Sequence, residues 1–134
     1  MYNIWNKWDT LKTVMLGESY SPEFFNDIKN TKVKSALQRI ASETQEDLEG
    51  YEKVLKDFRC DVIRPDIDKN DSIMNYTDHE GKLTLIPRGP LQPRDTQLVI
   101  GNTLFYTSND HQGIKQSLDR YDKGFKYIDS PLRS

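Results

Sequence analysis

The chain has 134 residues, 19 of them basic and 21 acidic, and a formal net charge of −2. That length suits one domain, and the charge balance offers no basic stripe to neutralise phosphates, which argues against a nucleic-acid partner. With 35% hydrophobic residues and a mean hydropathy of −0.80 the core is thin, so an incomplete domain, a partner or long solvated loops are expected.

No run approaches the roughly 18 apolar residues that span a bilayer, so no membrane association is expected. The opening MYNIWNKWDT lacks the basic and apolar regions of a signal peptide. A single cysteine fits a reducing compartment, and a cytoplasmic protein is the expectation.

In chain order, LKTVMLG (11–17) has the β-branched and apolar content of a buried strand ended by Gly17. SPEFF (21–25) reads as a short helix start, with Ser21 as N-cap and Pro22 at the first position. Residues 31–41 continue helically, with Val33, Leu37 and Ile40 on one face. The clearest element is SETQEDLEGYEKVLKDF (42–58). Ser42 and Gln45 form a capping box, and the acidic first turn suits the helix dipole. Leu48, Tyr51, Leu55 and Phe58 follow one apolar face. Gly50 inside it costs about 1 kcal/mol relative to alanine.

CDVIR (60–64) reads as a strand closed by Pro65. Residues 66–92 form a long polar loop punctuated by Pro87, Pro90, Gly81 and Gly89, with KLTLI (82–86) as a short strand within it. Val99 and Ile100 then run into Gly101-Asn102, and Thr103, Leu104 and Phe105 run out, a two-residue hairpin signal. Ile114, Leu118 and Tyr121 suit a weak helix over 110–123, and KYIDSPLRS carries no assignable pattern. The order predicts a mixed sheet with helices on one side or around it. The whole of 1–134 is expected to be one incomplete domain, with 66–92 a loop and 108–134 a tail of uncertain structure.

The hairpin explains its apolar residues but not the acid at its mouth, Asp95, held behind Pro93-Arg94. Three segments in order supply an answer. WDTLKTVMLG (8–17), ETQEDLEGYEKVLKDFRCDVIRPD (43–66) and PRDTQLVIGN (93–102) together resemble the opening of the arginine–glycine amidinotransferase family of the pentein superfamily. The likeness covers much of 8–107.

The resemblance implies an α/β fold: part of a pentein-type propeller, about two of its five units, with mixed sheets and helices outside. It also implies transfer of an amidino group from arginine to an acceptor amine through an amidino-cysteine. No cofactor is implied. The aspartate of the family's Pro-Arg-Asp corner binds the substrate guanidinium, and that role falls on Asp95. A planar cation with paired N–H donors is well met by a carboxylate that accepts two of them. Arg94 has a supporting role, pairing with a neighbouring carboxylate. The family's second acid, His-x-Asp element and nucleophilic cysteine lie beyond the matched region. The chain is therefore expected to be an N-terminal fragment of an amidinotransferase-like protein that does not catalyse alone.

The other candidates have plainer readings. Cys60 directly follows a helix and suits a small buried role. His79 and His111 sit beside acids, but sequence neighbours rarely converge on one metal. Trp5 and Trp8 could anchor a partner, but packing of Trp8 beneath the first strand is the favoured expectation. Two functions stand. One is the enzyme fragment, whose small-molecule partner is arginine or another guanidino compound. The other is a non-catalytic binding or assembly module. An open fragment exposes strand edges, so a homo-oligomer is expected of both.

Overall fold

The computed structural model describes residues 3–66, 73–84, 91–95, 97–106, 112–121 and 126–129. The strands divide between two small sheets.

In the first, β1 (Thr13–Met15) and β2 (Asp61–Ile63) run parallel, with Val14 opposite Val62. Parallel neighbours need a long crossover, supplied here by a 3-10 turn at Pro22–Phe25 and helix α1 (Thr31–Asp57). Ser21 precedes the turn in extended conformation, but its side chain makes no capping hydrogen bond.

The helix does not begin at Ser42. Asn30 is its N-cap, with Oδ1 accepting from the N–H groups of Lys32 and Val33 at 3.1 and 3.2 Å. That cap satisfies the orphan donors of the first turn, and no Gly or Pro interrupts residues 31–41. Ser42 and Gln45 are therefore interior to one 27-residue helix.

The buried stripe of α1 is also rotated from the expected one. Ala41 and Leu55 are buried, and Leu37 packs on the core. Val33, Ile40, Tyr51 and Phe58 are exposed, Phe58 by 78%. Two short strands and the Phe24–Phe25 turn cover only a narrow strip of the helix, so the flanking apolar positions stay outside.

Where α1 ends, the Cys60 N–H donates to the Leu55 carbonyl and the Arg59 N–H to Lys56, at 3.0 and 2.8 Å. This is a Schellman motif, with buried Leu55 and Cys60 at its apolar contact positions. Its left-handed position is held by Arg59 at φ 60° instead of glycine. A non-glycine residue there costs about 1–2 kcal/mol, partly offset by glycine's greater entropy loss on folding. Arg59→Gly is therefore expected to raise stability by about 0.5–1 kcal/mol, read as a higher urea midpoint with an unchanged slope.

The stretch expected to be a long polar loop contributes to the core. Ile73, in a 3-10 turn at Ile73–Tyr76, is fully buried and joins Tyr20, Phe25, Ile28 and Ala41. Beyond it, Thr77 bridges Leu83 across a turn in which the Asp78 carboxylate accepts from the N–H groups of Glu80 and Lys82. Of the strand expected at 82–86, Leu83 forms that single bridge, and residues 85–86 lie outside the described ones.

The second sheet has the order β3-β4-β5. β3 (Gln97–Ile100) and β4 (Thr103–Tyr106) form the expected hairpin, closed by the Ile100–Thr103 pair. Gly101 takes φ +59° and Asn102 does not turn positive, the pattern of a type II′ turn. Helix α2 (Gln112–Tyr121) follows. Part of the tail without assignable pattern is a strand: β5 (Lys126–Asp129) pairs parallel with β4, Leu104 opposite Tyr127. Leu104, Ile114 and Leu118 form the core of this unit.

The two units meet. Met15 packs on the Leu104 cluster. The Asp66 N–H donates to Ser117 Oγ at 3.0 Å, and Arg120 reaches Asp66 Oδ2 through both terminal nitrogens at 3.2 and 3.1 Å. No described helix is long and apolar enough to cross a membrane.

Candidate functional site

Pro93 has a fixed φ and starts a 3-10 turn at Pro93–Asp95, which the Asp95 N–H closes by donating to the Gln92 carbonyl at 3.1 Å. The turn ends two residues before the β3 ladder begins at Gln97, and the proline fixes φ at its start. The carboxylate projects into solvent with its side chain 63% exposed, and Arg94 Nε stands 3.9 Å from Oδ1. A contact that long between exposed groups contributes little. Arg94 thus sits beside Asp95 without occupying its oxygens, and a planar cation can approach the carboxylate from solvent.

The other candidates lie elsewhere. Cys60 is buried at the start of the β2 strand region, its Sγ 3.4 Å from the Leu11 carbonyl, as expected for a small packing residue. His79 is exposed in the Asp78–Gly81 turn, 3.9 Å from Glu80. His111 lies outside the described residues. Among the described residues no group of three or more metal-ligating side chains converges. Trp8 does not pack beneath the first strand: it is 77% exposed, and its main-chain N–H donates to Asn6 Oδ1 at 3.1 Å. Trp5 is 70% exposed at its own surface, yet its ring lies so close to Gly101 that an added β-carbon there would meet it at 2.7 Å.

A second charged constellation was not foreseen. At the carboxyl ends of β1 and β2, Arg64 donates from Nη2 to Glu18 at 2.5 Å and from Nη1 to Glu52 of α1 at 2.8 Å. Lys56 holds the other oxygen of Glu52 at 2.5 Å. The Lys56 hydrogen bond, opposed by burial and reinforced by Arg64, pulls the Glu52 carboxyl below its usual range. These contacts lock strand ends to the helix, which is a structural task. The sequence signal for it was an arginine directly after an apolar strand, a position that demands partners.

No protein-family model matches the chain, and no curated protein matches its sequence.

Proposed function

We propose that this chain is the guanidinium-recognising N-terminal part of an amidinotransferase-like protein, with Asp95 as the carboxylate that receives the guanidinium. The observation that carries the reading is the Pro93–Asp95 turn. It presents an exposed carboxylate at the root of a rigid hairpin, with no strong ion pair to displace. Two α/β units, each placing a helix between parallel strands, suit a repeated α/β architecture. The reading assigns this chain recognition without group transfer, because its one cysteine is buried against the Leu11 carbonyl and unsuited to attack a guanidinium.

Arginine titrated calorimetrically into the chain is expected to bind weakly, as befits a single carboxylate. Asp95→Ala is expected to reduce that affinity by at least about tenfold, since a charge-assisted hydrogen bond contributes about 1.5–3 kcal/mol. Asp95→Asn keeps the shape and loses the charge, and a similar loss is expected. Arginine that fails to bind at millimolar concentration removes the reading.

A second reading, self-assembly, is favoured by the outer face of the hairpin. Leu98 and Ile100 share that face and are 59% and 54% exposed, on a sheet with β3 at its edge. Sedimentation equilibrium tests it. Leu98→Glu is expected to shift an associated species to monomer, and a wild-type chain that stays monomeric at high concentration excludes it.

A further inference from the structure

Helix α1 carries two apolar faces, and the fold covers one of them. Ala41 and Leu55 are buried, whereas Val33, Ile40, Tyr51, Val54 and the C-cap residue Phe58 form a second row. At 3.6 residues per turn that row lies about 80° around the helix from the buried one. Every member is exposed, Val33 least at 37%. The row repeats by heptads, with Val33, Ile40 and Val54 at one position and Tyr51 and Phe58 at the position four residues on. A seam of that period lets two helices pack side by side in a left-handed coil. From Val33 to Phe58 it runs about 38 Å at a rise of 1.5 Å per residue.

The charges of the helix divide near the middle of that row. Residues 31–42 carry three bases, Lys32, Lys34 and Arg39, and no acid, a net charge of +3. Residues 43–57 carry six acids and two bases, a net charge of −4. The helix dipole does not account for this order, because it favours acids in the first turn, and that turn holds none. A parallel second copy would set base on base and acid on acid. An antiparallel copy sets the basic part of each helix against the acidic part of the other. Placing Val33 opposite Phe58 centres the pair between residues 45 and 46, beside the charge boundary, and brings Ile40 opposite Tyr51. The same register sets Asp47 opposite Thr44 of the second copy, whose hydroxyl can donate to the carboxylate.

We propose that α1 is a dimerisation helix that pairs antiparallel with α1 of a second copy, about a two-fold axis near residues 45 and 46. A two-fold contact presents one patch twice, so the chain itself supplies both the apolar row and its complementary charge. A foreign partner would have to match both. The surface is separate from the outer face of the hairpin, and Leu98→Glu is expected to leave this dimer intact.

Sedimentation equilibrium of the whole chain tests the pairing through charge reversal at surface positions. Lys32→Glu/Lys34→Glu/Arg39→Glu makes both parts of the helix acidic, and Glu46→Lys/Glu49→Lys/Asp57→Lys makes both basic. Each triple alone is expected to raise the dimer Kd at least about tenfold, because like charges then face one another. Combined in one chain, the six changes exchange the signs of the two parts and are expected to restore dimerisation. Ile40→Glu is expected to abolish the dimer while leaving the circular dichroism of the dilute chain unchanged, since Ile40 is exposed in the single chain.

A wild-type chain that stays monomeric at millimolar concentration overturns the proposal. Triples that leave the Kd unchanged, or a combination that fails to restore association, overturn the antiparallel order. A dimer that survives Ile40→Glu and is lost in Leu98→Glu assigns association to the hairpin and also overturns it.

Discussion

Ile73→Ala is expected to destabilise the chain by about 2–4 kcal/mol, the range for truncating a buried isoleucine in a core that cannot fully collapse. Ile73 has no exposed surface, and its neighbours Tyr20, Phe25, Ile28 and Ala41 come from three other segments. Aromatic rings wall the same cluster, with Tyr20 and Phe24 stacked at 4.0 Å and Phe24 edge-on to Phe25 at 5.1 Å. Such rings do not shift easily into a vacated volume. With a urea slope of roughly 1–3 kcal/mol/M, the midpoint should fall by roughly 0.7–4 M with the slope unchanged. Ile73→Val removes one methylene and should cost only about 0.5–1.5 kcal/mol. An alanine variant as stable as wild type would show that residues 73–76 do not close this core.

The second large effect is expected at Arg64. Its side chain is 18% exposed, and Glu18 and Glu52 are each 22% exposed. Arg64→Met would leave two half-buried carboxylates facing one another without their shared cation. Breaking a fully buried pair costs about 3–5 kcal/mol, and the residual solvent here reduces that to about 2–3 kcal/mol at neutral pH.

The pH dependence has a definite sign. Lys56 and Arg64 hold the Glu52 carboxyl below its ordinary value of 4.5, against the opposing effect of burial. A depressed folded value means that the unfolded chain binds the proton first. The stabilisation is therefore fully present above the unfolded value and is lost as pH falls through the lower folded one. Urea midpoints of wild type and Arg64→Met should thus converge as pH falls below about 4.5. A gap that stays constant across that window would mean that Arg64 acts through packing rather than charge. Glu52→Gln offers a second check, since it keeps the shape and should flatten the acid limb of the wild-type profile.

Both effects concern residues whose significance is tertiary, and this divides what the sequence determined from what it did not. Gly101-Asn102 between apolar runs specified the hairpin and its register, because turn geometry and side-chain alternation are local properties. The strand cores at 13–15 and 61–63, the helical character of 31–57, the helix near Ile114 and Leu118 and the Pro93-Arg94-Asp95 corner were legible for the same reason. Each depends on φ, ψ or periodicity within a few residues. The corner alone placed the exposed carboxylate of the candidate site.

Folding decided the rest through partners distant in the chain. Ser42 and Asn30 both carry N-cap chemistry, and unbroken helical continuation from Asn30 made Ser42 interior. Tyr51 and Phe58 satisfy helical spacing as well as Leu55 does, but the narrow surface beneath α1 covers only Leu55. Ile73 sits in a polar segment with no period, so only the cavity among Tyr20, Phe25 and Ala41 shows that it is core. Residues 126–129 become a strand because β4 offers an unpaired edge after α2 returns the chain beside it. Arg64 meets Glu18 and Glu52 across separations that no local pattern encodes. Local conformational preference is written in neighbouring residues, whereas burial and charge pairing depend on which surfaces the finished fold brings together.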